Sequence, residues 1–141
     1  RAAVECRGCG AVFEGGWGGE VSDGAVRAGC GAVKTAAVVL AAGASTRLGS
    51  PKQVVRLDGE TLLERAVRVA REAGCSPVVV VLGAAAASIR AECSLGDAVV
   101  VVNEDWASGM GSSVGCGVQA LGDVDGCVLM ACDMPAVTTR N

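Results

Sequence analysis

The stretch Val38-Val39-Leu40-Ala41-Ala42-Gly43-Ala44-Ser45-Thr46-Arg47-Leu48-Gly49-Ser50-Pro51-Lys52-Gln53 decides the fold. An apolar run over residues 36–42 ends abruptly in Gly43, a Ser/Thr pair, Arg47, Gly49, Pro51 and Lys52. This is the pattern of a buried strand emptying into a loop of small residues. Such a loop lets backbone N–H groups approach an anion closely, and Arg47 and Lys52 supply fixed positive charge. A polyphosphate is the natural guest. The spacing matches neither of the common phosphate loops, because no G-x-x-x-x-G-K-[ST] and no G-x-G-x-x-G lies between Gly43 and Lys52.

Downstream the pattern is regular. Asp58-Gly59 predicts a turn, and Thr61 with Glu64 predicts a capping box. The helix that follows turns Leu62, Leu63, Ala66, Val67, Val69, Ala70 and Ala73 to one broad side. Arg65, Arg68, Arg71 and Glu72 form a solvated face, and Gly74 stands where a helix-ending glycine belongs. Residues 77–82 form a continuous β-branched run, read as a strand buried on both faces. Residues 84–93 favour a short helix, and 98–102 read as a third buried strand. Ser112 or Ser113 can cap a helix reaching about Leu121, although Gly115 and Gly117 weaken it, and 127–131 form a fourth strand. Strand and helix alternate, so the fold class is α/β, a Rossmann-like three-layer sandwich around a mostly parallel sheet. Ligands of such sheets sit beyond the carboxyl ends of the strands.

Composition narrows the function. The chain has 141 residues, a formal net charge of −3 and no histidine. Scattered basic residues argue against a nucleic-acid surface, and no apolar run is long enough for a membrane span. Without histidine, Ser-His and Cys-His catalysis are excluded, and any metal must be held by carboxylates or thiolates. No secretion signal is visible at the start, which fits a cytoplasmic protein. Five of the eight cysteines, Cys75, Cys93, Cys116, Cys127 and Cys132, fall inside or beside predicted helices and strands without a common spacing and read as core or incidental residues.

Residues 1–34 read differently from 35–141. They are glycine-rich, including Gly15-Gly16-Trp17-Gly18-Gly19, and show no sustained apolar period, so a disordered leader is expected. Cys6-x-x-Cys9 and Cys30 are each followed by Gly-Ala-Val, a weak repeat of a zinc knuckle. Arg27 stands where the second copy needs a thiolate, which leaves tetrahedral zinc one ligand short unless a carboxylate joins.

Two further constellations follow strands of the regular region. Asn103 opens a small-residue loop, Glu104 to Ser113, that feeds the serine-capped helix and offers backbone N–H groups and a positive dipole end. Asn103 is placed to meet a base edge or ribose. Trp106 either stacks on a ligand or covers the sheet end. Cys132-Asp133-Met134-Pro135 puts a carboxylate at the end of the fourth strand, where it either caps a turn or holds Mg²⁺.

The pattern L-A-A-G-x-S-x-R-x-G-x-P-K, with N-x-D-W-x-x-G-M-G-S-S and C-D-x-P following in order, resembles the MobA-like nucleotidyltransferases. These include the molybdenum-cofactor cytidylyltransferases and guanylyltransferases. Ala41-Ala42-Gly43 and Pro51-Lys52 resemble the cytidylyl type more closely. The resemblance implies a nucleotide-diphospho-sugar transferase-like fold and attack of an acceptor phosphate on the α-phosphorus of CTP (or GTP), releasing pyrophosphate. The implied acceptor is a molybdopterin-like cofactor, and contact with a molybdoenzyme maturation factor is also implied. Leu40, Ala41, Ala42, Gly43, Asn103, Gly111 and Ser112 would meet the nucleotide. Arg47 and Lys52 would hold its β- and γ-phosphates, and Asp133 would bind Mg²⁺. Members of the family continue through further strands that bring a second metal-binding carboxylate and most of the acceptor pocket. Residues 35–141 are therefore expected to be the N-terminal part of a longer domain. Two alternatives stay open: another small-molecule or sugar-phosphate nucleotidyltransferase, and a non-catalytic nucleotide- or zinc-binding fragment.

Overall fold

A computed structural model describes residues 33–44 and 51–139, together with two short strands near the start. The chain divides into two compact units, Arg1–Val33 and Lys34–Asn141. In the first, β1 (Ala3–Glu5) pairs antiparallel with β2 (Val12–Glu14), Val4 opposite Phe13. Arg47 and the zinc-knuckle cysteines Cys6, Cys9 and Cys30 lie outside the described residues.

The second unit is built around β3 (Thr35–Ala41), the strand of the opening run. Its neighbours are β6 (Val78–Leu82) on one side and β8 (Gly126–Ala131) on the other, with β7 (Val99–Val102) beyond β6, giving the order β7-β6-β3-β8. All three pairings are parallel. Alternation along β3 sends Ala37, Val39 and Ala41 to one face, where Leu63, Ala66, Val67 and Ala70 of α1 (Leu62–Glu72) and Ile89 of α2 (Ala86–Glu92) cover them. Val38 and Ala42 go to the other, with Val79, Val81 and Cys116 of α3 (Met110–Gln119). Helices thus lie on both faces of a parallel sheet, the three-layer α/β arrangement read from the alternation of elements.

Chain order places the cavity described below. From β3 the chain winds outward through β6 to β7, then crosses back by way of α3 to lay β8 on the far side of β3. The loops leaving β3 and β8 therefore diverge, and that topological switch point opens a crevice at the carboxyl edge of the sheet.

The start of α1 follows the expected chemistry. A small hairpin of β4 (Arg56–Leu57) and β5 (Glu60–Thr61) turns through Asp58 at φ 54° and Gly59 at φ 86°. Two successive left-handed residues make the turn whose twist suits a two-residue hairpin. Thr61 Oγ1 accepts from the Glu64 N–H, and the Glu64 carboxylate accepts from the Thr61 N–H at 2.9 Å. Glu64 also accepts from the Ser94 N–H at 2.7 Å, tying α1 to the segment after α2. Partial burial pushes the Glu64 carboxyl up, but these backbone donors and the Thr61 hydroxyl outweigh it and hold it below its ordinary 4.5. A depressed carboxylate contributes stability that is present above its unfolded pKa and lost as pH falls through its folded one. In urea denaturation Thr61→Ala is expected to lose about 1 to 2 kcal/mol. The stability gap between wild type and Glu64→Gln should be full above pH 4.5 and shrink below it.

Several details differ from the sequence expectations. β7, expected to be buried, has Val99 and Val102 exposed, because among the described strands it is an edge of the sheet. Among the described strands β8 is the other edge; Cys127 is exposed, and Val128 and Leu129, on opposite faces, are each about half exposed. Cys75, Cys93 and Cys132 are buried as expected, and Cys116 is half-buried. Leu62 is only partly covered and Ala73 is exposed, since the apolar stripe of α1 is narrower than the sequence suggests. Ser112 and Ser113 do not cap α3. It begins earlier, at Met110, with Gly109 at φ 121° as its cap, and ends at Gln119.

Candidate functional site

The crevice at the switch point is a cavity of about 330 Å³. Its floor is the end of β3 and the turn after it (Leu40, Ala41, Ala42 and Gly43), and Ala131, Cys132 and Asp133 from the end of β8 form one wall. Lys52 and Gln53 come from a short 3₁₀ turn (Lys52–Val54) beside it. Trp106, Gly109, Met110 and Ser113 close the far side from the loop into α3.

Charge is concentrated at one place. Lys52 Nζ stands 3.8 Å from Asp133 Oδ2, each side chain about half exposed. The two residues reach this point from loops after different strands, so the pairing is a product of the sheet topology. An exposed pair at this distance contributes little to stability. Its ends remain accessible to a ligand. A cation and a carboxylate side by side, beside a turn of small residues, suit a triphosphate with a divalent cation.

Next to Asp133, burial pushes the Cys132 thiol up to about 11, with the neighbouring carboxylate acting in the same direction. It is uncharged near neutral pH and lines the cavity as a small apolar group rather than a nucleophile.

The loop after β7 is internally braced. The buried Asn103 donates from Nδ2 to Ser112 Oγ at 2.9 Å and Ser113 Oγ at 3.0 Å, while its Oδ1 accepts from the Asp105 N–H. Ser112 Oγ lies within hydrogen-bond distance of the carbonyls of Asp105 and Gly109. Asn103, Gly111 and Ser112 are not among the residues that line the cavity. Asn103 is committed to fixing the loop, and Ser113 is the serine that faces the cavity. Trp106 covers the sheet end, half-buried against the cluster of Val38, Ala42, Val79 and Val81, and it also lines the cavity. Gly83, at the end of β6, lets these parts meet. A Cβ there would lie 2.4 Å from the Ala42 carbonyl oxygen and 2.9 Å from Trp106 Cβ.

Gln53 is the residue that sequence reading passed over. It is 2% exposed, and its Nε2 donates to the carbonyls of Ala41 at 2.7 Å and Gly43 at 3.0 Å. Its position directly after Pro51-Lys52 was the available signal, since a polar residue following a phosphate-loop lysine is well placed to turn back on the loop.

Asp133 suits a magnesium-like ion, which is bound by one or two carboxylates and completes its shell with water and substrate phosphates. Among the described residues no group of three or more Cys, Asp or Glu side chains forms a closed metal cage. Nor, among them, is any helix long and apolar enough to cross a membrane.

Fold and cavity together define a doubly wound α/β domain with its ligand crevice at the switch point of the sheet. The chain belongs to the MobA-like NTP transferase domain family, whose model matches residues 37–140. Among curated proteins it is 41% identical over 102 residues to the nicotine blue oxidoreductase of Paenarthrobacter nicotinovorans, covering 72% of this chain and 50% of that one. To a probable molybdenum cofactor guanylyltransferase of Opitutus terrae it is 59% identical over 46 residues, covering 33% and 23%. Among solved structures, Rv0371c of Mycobacterium tuberculosis superposes with a TM-score of 0.68 at 36% identity, covering 78% of this chain and 57% of that one. A second structure of Rv0371c is a complex with manganese, at a TM-score of 0.62 and 35% identity, covering 77% and 55%. The chain thus spans about half the length of the first curated relative it matches.

Proposed function

We propose that this domain binds CTP with a divalent cation and transfers its cytidylyl group to a phosphorylated acceptor of the molybdopterin type. The observation that carries the reading is the juxtaposition of Lys52 and Asp133, 3.8 Å apart at the cavity floored by residues 41–43. Phosphoryl-type transfers ask for positioning and charge neutralisation more than covalent help, which suits a chain without histidine. Lys52, with Arg47 of the same sequence motif, neutralises the β- and γ-phosphates that leave as pyrophosphate. The turn at residues 41–43 receives the nucleotide through its backbone. Asn103 braces the loop that carries Trp106 and Ser113 against it. Asp133 would hold Mg²⁺ or Mn²⁺, which supplies charge stabilisation at the phosphates. Manganese in the Rv0371c complex supports a divalent ion. Ala41-Ala42-Gly43 and Pro51-Lys52 favour CTP over GTP, and the acceptor follows from the same resemblance. Contact with a molybdoenzyme maturation factor and a cytoplasmic setting belong to this reading as well.

The test is transfer of label from α-labelled CTP to a molybdopterin acceptor, with pyrophosphate measured alongside. Release of one pyrophosphate for each nucleotide transferred is expected. GTP is expected to be the poorer donor.

One finding favours a second reading. One relative matched over most of this chain is named an oxidoreductase. Reduction of nicotine blue at the expense of an added two-electron donor, with the donor oxidised in equal amount and no pyrophosphate released from CTP, would replace the transferase reading with a redox one.

A further inference from the structure

We infer that Gln53 is a positioning residue for the nucleotide, its side-chain amide holding the turn at residues 41–43 in the shape that receives the triphosphate. The inference deepens the nucleotide reading of the cavity and rests on it. The amide's orientation is set by its surroundings. Nε2 lies 2.7 Å from the Ala41 carbonyl oxygen and 3.0 Å from that of Gly43, so a reversed amide would press Oε1 against two acceptors. Both amide hydrogens are therefore spent on the signature turn. In a trans peptide the N–H points opposite to the C=O. Drawing the Ala41 and Gly43 carbonyls toward Gln53 turns the N–H groups of Ala42 and Ala44 away from it. The clamp thus fixes the direction of two donors at the turn that floors the cavity.

The other half of the amide argues that this is more than packing. Gln53 Oε1 is buried and, among the described residues, has no hydrogen-bond partner. A buried orphan acceptor destabilises the fold, and methionine would fill the same length without one. What methionine lacks is the pair of donors. Lysine or arginine would bring a charge into a site that is 2% exposed, and asparagine would fall short by one methylene. Glutamine is the side chain that reaches both carbonyls with two uncharged donors.

The experiment is calorimetric titration with CTP and Mg²⁺ of wild type, Gln53→Met and Gln53→Glu at pH 5 and pH 8, with circular dichroism and thermal melting on each. Gln53→Met is expected to bind tenfold or more weakly while still melting cooperatively. Gln53→Glu is expected to bind weakly at pH 8, where an ionised carboxylate faces two carbonyl oxygens. Relative to wild type at the same pH, it should recover part of its affinity at pH 5, where a protonated carboxyl donates one bond again. Gln53→Met binding within twofold of wild type would overturn the inference. So would a Gln53→Glu affinity that bears the same ratio to wild type at both pH values. Absence of binding to wild type overturns the nucleotide reading and the inference with it, whereas binding by wild type and variants alike overturns the inference alone.

Discussion

Lys52→Met is expected to lower kcat/KM for nucleotidyl transfer by about a thousandfold, the cost of removing one preorganised charge from a developing anion. Stability should hardly change. The Lys52 side chain is about half exposed, with Nζ 3.8 Å from Asp133 Oδ2, a pair of the kind that contributes at most about 1 kcal/mol. The asymmetry identifies a residue that works on the ligand. A folded-state role would show in the melting curve, and Lys52→Met leaves the chain's apolar core intact. Lys52→Arg should recover part of the loss, because it keeps the charge but spreads it over a planar group of different reach. Steady-state kinetics alongside thermal melting check both statements. Wild-type turnover by Lys52→Met would remove Lys52 from the site.

The largest effect on stability is expected at Gly117. A Cβ there would stand 2.3 Å from Val38 Cγ1 and 2.9 Å from Val81 Cγ2. Neither valine can yield. Both are 0% exposed in adjacent strands, and a β-branched side chain has few alternative rotamers. Gly117→Ala must therefore push α3 off the sheet, at a cost of about 1 to 3 kcal/mol or somewhat more. The same helix contains its own control. Nothing lies within 4 Å of a Cβ at Gly115. Gly115→Ala should be neutral or raise stability by up to about 1 kcal/mol through helix propensity. Urea denaturation should show a lowered midpoint for Gly117→Ala and an unchanged or raised one for Gly115→Ala. Because α3 carries Met110 and Ser113 to the cavity, Gly117→Ala is also expected to weaken nucleotide binding.

What was legible in the sequence was local. The 38–53 stretch named its own fold because a buried strand, a small-residue turn and a lysine leave few alternatives in so short a span. Thr61 and Glu64 announced the start of α1 because a capping box is satisfied within four residues. Edges were not legible. Val-Val-Val-Val at residues 78–81 and again at 99–102 is the same text, yet the first is buried on both faces and the second is the rim of the sheet. Which strand is central depends on pairings between segments far apart in the chain. Nor could the start of α3 be read correctly. Ser112 and Ser113 look like caps, but the Asn103 amide recruits both hydroxyls, and Gly109 takes the cap position instead. For the site, Lys52 and Asp133 were visible as motif residues, while their proximity came from the crossover that sets β8 beside β3. Gln53 was in plain view, and its one signal, its place directly after Pro51-Lys52, did not separate a buried glutamine from a surface one.

The central claim is that the cavity at the end of β3 receives a nucleoside triphosphate through Lys52 and a cation held by Asp133. Calorimetric titration of the folded chain with CTP and then GTP, each with Mg²⁺ and repeated on Asp133→Asn, tests it most directly. The predicted result is binding of CTP more tightly than GTP, weakened about tenfold or more when the carboxylate is lost. A chain that is folded by circular dichroism and binds neither nucleotide, or binds them equally well with Asp133→Asn, would contradict it.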